Sequence, residues 1–157
     1  MYKRVLLAYD GSIEGRSALR EGALLAKHCE ARVFLLSIVA ETAGVRLAES
    51  VYAGVIAKEG EVYQGILDEG AERLKQLGLS AVAALEFGEP APTIAGFARR
   101  VEADLVVVGH RHRGALERWW TGSTSAHLLD LVECSLLIAK DTSADQGLQA
   151  KTPVGRS

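Results

Sequence analysis

The sequence predicts an α/β fold: a single domain built on an open five-stranded parallel sheet with helices on both faces. Three observations carry that expectation. Short runs such as residues 4–9 (RVLLAY) and 32–39 (RVFLLSIV) are apolar almost without interruption, as strands buried on both faces are. Between the runs, apolar residues recur at helical spacing. After the fourth run, a glycine-punctuated loop leads into an amphipathic segment, an arrangement that brings backbone N–H groups and a helix N-terminus close to an anion.

Taken in order, residues 4–9 form the first strand, and Asp10-Gly11-Ser12 ends it. Ser12 is a suitable helix N-cap. Ala18, Gly22, Ala26 and Cys29 then recur on one helical face, widened by Leu19 and Leu25. Residues 32–39 are the second strand. From position 40 to about 57 the pattern weakens: Gly44 and Gly54 interrupt it, and Arg46 and Glu49 are scattered through it. This stretch is expected to be a mobile connection with a helical turn, longer than connections usually are. Val55, Val62, Ile66, Leu74 and Leu77 mark a long second helix, which Gly78 ends. Residues 80–87 (SAVAALEF) hold few bulky residues and suit a strand at a sheet edge. Residues 88–92 (GEPAP) read as a turn. A third helix follows, with Ile94, Phe97, Ala98 and Val101 inward and Arg99 and Arg100 outward. The fourth strand begins after Asp104, the fourth helix spans about 123–133, and the fifth strand is SLLIAK. Residues 141–157 lack apolar periodicity and are expected to be a disordered tail, leaving 1–140 as the domain.

With 157 residues, 48% of them apolar and 24% charged, the chain has the composition of a globular domain with a substantial core. A net charge of −2 offers no general attraction to nucleic acid or to an anionic membrane. The N-terminus passes directly into a strand pattern, with no signal-peptide character, and no apolar run has membrane-span length. Cys29 and Cys134, each in an apolar pattern, read as reduced core thiols. Together these features suggest a cytoplasmic location.

The chemistry concentrates in residues 104–124, DLVVVGHRHRGALERWWTGST. The dinucleotide pattern G-x-G-x-x-G is absent after the first strand. Gly109 and Gly114 have the Walker separation, but Ala115-Leu116 stand where Lys-Ser/Thr is required. The third pattern fits: Gly109, two residues, position 112, nine residues, then Gly122-Ser123 resembles the nucleotide loop G-x-x-G-x9-G-S/T of the universal stress protein family. VLLAYDGS, RVFLLSIV, FGEPAPTIAGFA, ADLVVVGHR and CSLLIAK match that family in order and spacing, from Lys3 to Lys140. The departure is His112, where the ATP-binding loop has Gly. A glycine there would permit positive φ and close approach of the backbone, which a histidine does not do cheaply.

The resemblance implies strand order 3-2-1-4-5 and a homodimer joined through the last strand, Leu136 to Lys140. It also implies ATP, with Mg²⁺, between strands one and four. Gly109 would lie against the ribose. Gly122, Ser123 and Thr124 would serve the phosphates, and His112 would stand beside them. Asp10 would lie near the nucleoside or the Mg²⁺, and Ile38 and Val39 near adenine. Family members without the loop bind no nucleotide, so a dimeric stress-response interaction module is the alternative to an ATP-binding switch or sensor. His110 and His112 alternate, but no third ligand at metal spacing accompanies them. No G-x-S-x-G elbow and no carboxylate pair beside Asp10 suggests a dedicated enzyme; weak hydrolysis of bound ATP is the most that is expected.

Overall fold

Five apolar runs pair side by side in the computed structural model, which describes residues 1–40, 49–110 and 128–140 and, over 49–56, the backbone alone. They are β1 (Arg4–Ala8), β2 (Arg32–Ala40), β3 (Ala81–Gly88), β4 (Leu105–His110) and β5 (Ser135–Lys140). Every pairing is parallel, and the order across the sheet is β3-β2-β1-β4-β5. The runs are continuous because both faces are covered. Val5, Leu6 and Leu7, consecutive on the central strand β1, are 0%, 0% and 1% exposed. Burying each such side chain is worth about 1.5–3 kcal/mol.

One face carries α1 (Ile13–His28) and α2 (Glu49–Gln76); the other carries α3 (Pro90–Arg100) and α4, described over Leu128–Leu131. Alternation along β1 divides the core accordingly. Val5, Leu7 and Tyr9 pack with Ala18, Ala26, Leu67 and Leu74, whereas Leu6 and Ala8 pack with Ile94, Phe97 and Leu128. The sheet order, the two-sided covering, the edge position of β3 and the Ser12 cap on α1 all agree with the expectations from sequence.

Several details differ. The second helix starts at Glu49, so much of the stretch expected to be a connection is helix. Gly54 did not stop it, since one glycine inside a helix of 28 residues costs only about 1 kcal/mol relative to alanine. Its buried residues include Leu67, Gly70 and Leu74. Val62, one of the apolar residues that mark this helix in the sequence, is 58% exposed, because it lies about 140° of helical rotation from Leu67. Pro90 is at the start of α3 rather than in a preceding turn, a position where its missing N–H costs nothing. Cys29 and Cys134 are free and half-buried: Cys29 is the C-cap of α1, outside the core, whereas Cys134, between α4 and β5, packs against the core that faces α3. Gly78, with φ +80, follows α2 as expected. The start of the fourth helix at 123 and the tail 141–157 lie outside the described residues.

Candidate functional site

A notch opens where the sheet changes direction. β1 pairs with β2 only as far as Ala8↔Leu36, and with β4 only as far as Leu7↔Val107. Its neighbours run on, β2 through Ala40 paired to Gly88 and β4 through His110 paired to Lys140. Their walls stand about 10–13 Å above the end of β1, at roughly 3.3 Å per residue. The chain leaves β1 toward β2 and leaves β4 toward β5, so this is the reversal point at which open α/β sheets hold ligands.

Tyr9, Asp10, Gly11 and Ser12 form the floor. Asp10 Oδ1 accepts from the Ser12 N–H at 3.0 Å and from the Ser12 hydroxyl at 2.5 Å. Ser12 Oγ in turn accepts from the Gly15 N–H at 2.9 Å, capping α1. The carboxylate is therefore tied to the helix start and held in one orientation. Gly11 turns the chain with φ +76, and a Cβ there would meet Ile66 of α2 at 3.2 Å. A carboxylate fixed in this way can accept hydrogen bonds from hydroxyl or amino groups of a ligand.

The β4 wall approaches α1 through Gly109. A Cβ on Gly109 would lie 2.7 Å from Glu14 O, 2.8 Å from Glu14 C and 2.9 Å from Gly15 N. The glycine is thus required by helix packing inside this chain, a reason the sequence pattern did not reveal. Gly109, expected to follow the fourth strand, lies within β4, and the pairing of β1 with β4 brings it and Asp10 to the same end of the sheet. On the opposite wall Ile38 and Val39 are 8% and 3% exposed, and Ile38 belongs to the core facing α3. His112, Gly122, Ser123 and Thr124 lie outside the described residues. Among the described residues no group of three His, Cys, Asp or Glu side chains is placed to hold a metal, and no helix is long and apolar enough to cross a membrane.

Residues not singled out by sequence surround the floor. The Tyr9 hydroxyl donates to Glu69 Oε2 at 2.7 Å, and Ser37 Oγ donates to the Tyr9 carbonyl at 2.8 Å. Burial and the adjacent Glu69 carboxylate push the Tyr9 phenol above its ordinary range. Burial pulls Glu69 upward, but hydrogen bonds from Tyr9 and Arg73 and the charges of Arg16 and Arg73 outweigh it and leave its carboxyl below the usual range. The one sequence sign was Ser37 itself, a lone hydroxyl within RVFLLSIVA.

The family model described as the universal stress protein family matches residues 1–140. A universal stress protein of Methanocaldococcus jannaschii is 27% identical over 141 residues, covering 89% of this chain and 83% of its own length. Universal stress protein YxiE of Bacillus subtilis is 29% identical over 151 residues, covering 89% of this chain and all of its own. Among solved structures, a universal stress protein in complex with cAMP superposes with a TM-score of 0.67 at 23% identity, covering 88% of this chain and 97% of that one. The universal stress protein from Archaeoglobus fulgidus in complex with dAMP gives 0.62 at 18% identity, covering 88% and 98%. At those identities the two structures establish the shared fold.

Proposed function

This chain belongs to the universal stress protein family, and we propose that it binds an adenine nucleotide in the crevice between β1 and β4 and acts as a stress-response switch or sensor rather than as a dedicated enzyme. The observation that carries the reading is the notch above β1, with Asp10 fixed at its floor and β4 drawn against the start of α1. Solved family members holding cAMP and dAMP support the ligand class. The nucleotide we assign is ATP with Mg²⁺. Asp10 faces the nucleoside or the metal, Ile38 and Val39 border adenine, and Gly109 lies beside the ribose. His112, Gly122, Ser123 and Thr124 complete the phosphate side. Residues 1–140 form the functional domain. Two copies join through β5, an apolar strand at the edge of the sheet, in an isologous contact.

Titration calorimetry with Mg-ATP and with AMP tests this. Saturable binding to the natural protein, lost in Gly122→Val with the circular dichroism spectrum unchanged, is the expected result. Absence of binding at millimolar nucleotide would sink it. The second reading, a dimeric interaction module without nucleotide, is favoured by two observations: His112 stands where the loop pattern has Gly, and α1 packing alone accounts for Gly109.

A further inference from the structure

The turn that carries Asp10 is held from outside the crevice, on two sides. On the β2 side, the Tyr9 N–H donates to Leu36 O at 2.8 Å, and the Tyr9 carbonyl accepts from Ser37 Oγ at 2.8 Å. Ser37 is 0% exposed. A hydroxyl buried so completely is costly unless it is hydrogen-bonded, so its place in an apolar strand is accounted for by this one contact. On the other side stands α2. The Tyr9 ring passes against Gly70, where a Cβ would come within 2.7 Å of Cδ1, and its hydroxyl reaches Glu69. The other oxygen of Glu69 pairs with Arg73 Nε at 2.6 Å and with Arg16 Nε at 3.2 Å. Arg16 belongs to the first turn of α1, where its N–H donates to Ser12 O at 2.9 Å. One carboxylate on α2 therefore grips the residue before Asp10 and the helix after it.

We propose that Glu69 is a positioning residue for the crevice: by holding Tyr9 and Arg16 it fixes the direction in which Asp10 is presented, while Ser37 fixes the same turn from β2. The proposal rests on the nucleotide reading given above. Its physical content is preorganisation. A turn already held before the ligand arrives loses less freedom on binding, and the saving appears as affinity. The competing account treats the cluster as surface ion pairing. Arg16 and Arg73 are 46% and 45% exposed, and pairs so solvated contribute little on their own. What separates the accounts is the contact from Glu69 to the buried Tyr9, which reaches the floor of the site.

The test compares Glu69→Gln and Tyr9→Phe with Leu74→Ala, which loosens α2 in the core without touching the turn. Two quantities are measured well below the melting temperature: the amide proton shift of Ser12 in nucleotide-free protein, which reports its bond to Asp10, and the calorimetric Kd for Mg-ATP. In Glu69→Gln and Tyr9→Phe the Ser12 proton should move upfield and Kd should weaken about fivefold, part of the value of a hydrogen bond to a charged group. Leu74→Ala should lower the melting temperature and leave both readings at their natural values. Unchanged readings in the first two variants, or equal changes in Leu74→Ala, overturn the proposal. A natural protein that takes up no nucleotide overturns the nucleotide reading instead, and the Ser12 shift then decides the positioning of Asp10 by itself.

Discussion

Replacing Gly109 by alanine should damage both fold and crevice, and the size of the effect can be worked out from its surroundings. The added Cβ would stand 2.7 Å from Glu14 O, about 0.7 Å short of the 3.4 Å at which contact becomes ordinary. Its other two neighbours, Glu14 C and Gly15 N, are also backbone atoms, so no side chain can swing aside. The start of α1 has to move away from β4. That movement pulls on the Gly15 N–H bonded to Ser12 Oγ, and through Ser12 on Asp10. Overpacking of this kind costs about 1–3 kcal/mol, and a clash confined to backbone belongs at the upper end. A loss of about 2–3 kcal/mol corresponds to a melting temperature roughly 6–9 °C lower in a chain of this length. Urea unfolding followed by circular dichroism gives the free energy, and scanning calorimetry gives the melting temperature. Gly109→Ala within about 0.5 kcal/mol of the natural protein, the range of an ordinary surface change, would refute the reasoning.

Gly65 gives the opposite case. Nothing stands within 4 Å of a Cβ placed there, so Gly65→Ala should stabilise α2 by about 0.5–1 kcal/mol, read by the same urea titration. The folded pKa of Glu69 lies below its unfolded value, so its contribution is present above the ordinary carboxyl range and is lost as pH falls through the folded value. As pH falls through the ordinary carboxyl range and below it, the natural protein should therefore lose more stability than Glu69→Gln; parallel profiles would contradict this. Tyr9 carries the reverse sign: its phenol is raised, so its contribution holds below about pH 10 and fades above it, a loss absent from Tyr9→Phe. Ile138→Pro, which removes a backbone donor from edge strand β5, should shift the natural protein from dimer toward monomer in sedimentation at micromolar concentration, provided that donor faces the partner; a natural protein that is monomeric there excludes β5 as an interface.

What could be read from the sequence, and what could not, divides along the distance over which the physics acts. Doubly buried strands leave a local mark, so β1, β2 and β4 were legible as apolar runs. Few bulky residues correctly placed β3 at an edge. The meeting of Asp10 and Gly109 followed from strand order alone. The start of α2 was hidden because glycines and scattered charges weaken a pattern without stopping a helix that has a sheet to pack on. Val62 shows that an apolar residue can fall near the right spacing and still face solvent. The floor of the crevice was the least legible part. Tyr9 meets Glu69 60 positions away and Ser37 28 positions away, and neither pair leaves a periodic trace. Gly109 looked like a ligand-facing glycine. Its contact with Glu14 depends on how α1 returns over β4, which no spacing in the loop encodes.

The central claim is that an adenine nucleotide occupies the notch above β1. A titration of isotopically labelled protein with Mg-ATP, followed by amide proton–nitrogen spectra, tests it most directly, because it reports occupancy and location together. Saturable shifts centred on Gly11, Ser12, Val39 and Gly109, with the far end of the sheet at Arg4 and Leu105 unmoved, are the predicted result. Spectra unchanged at millimolar ATP, or shifts clustered away from the ends of β1 and β4, would contradict the account.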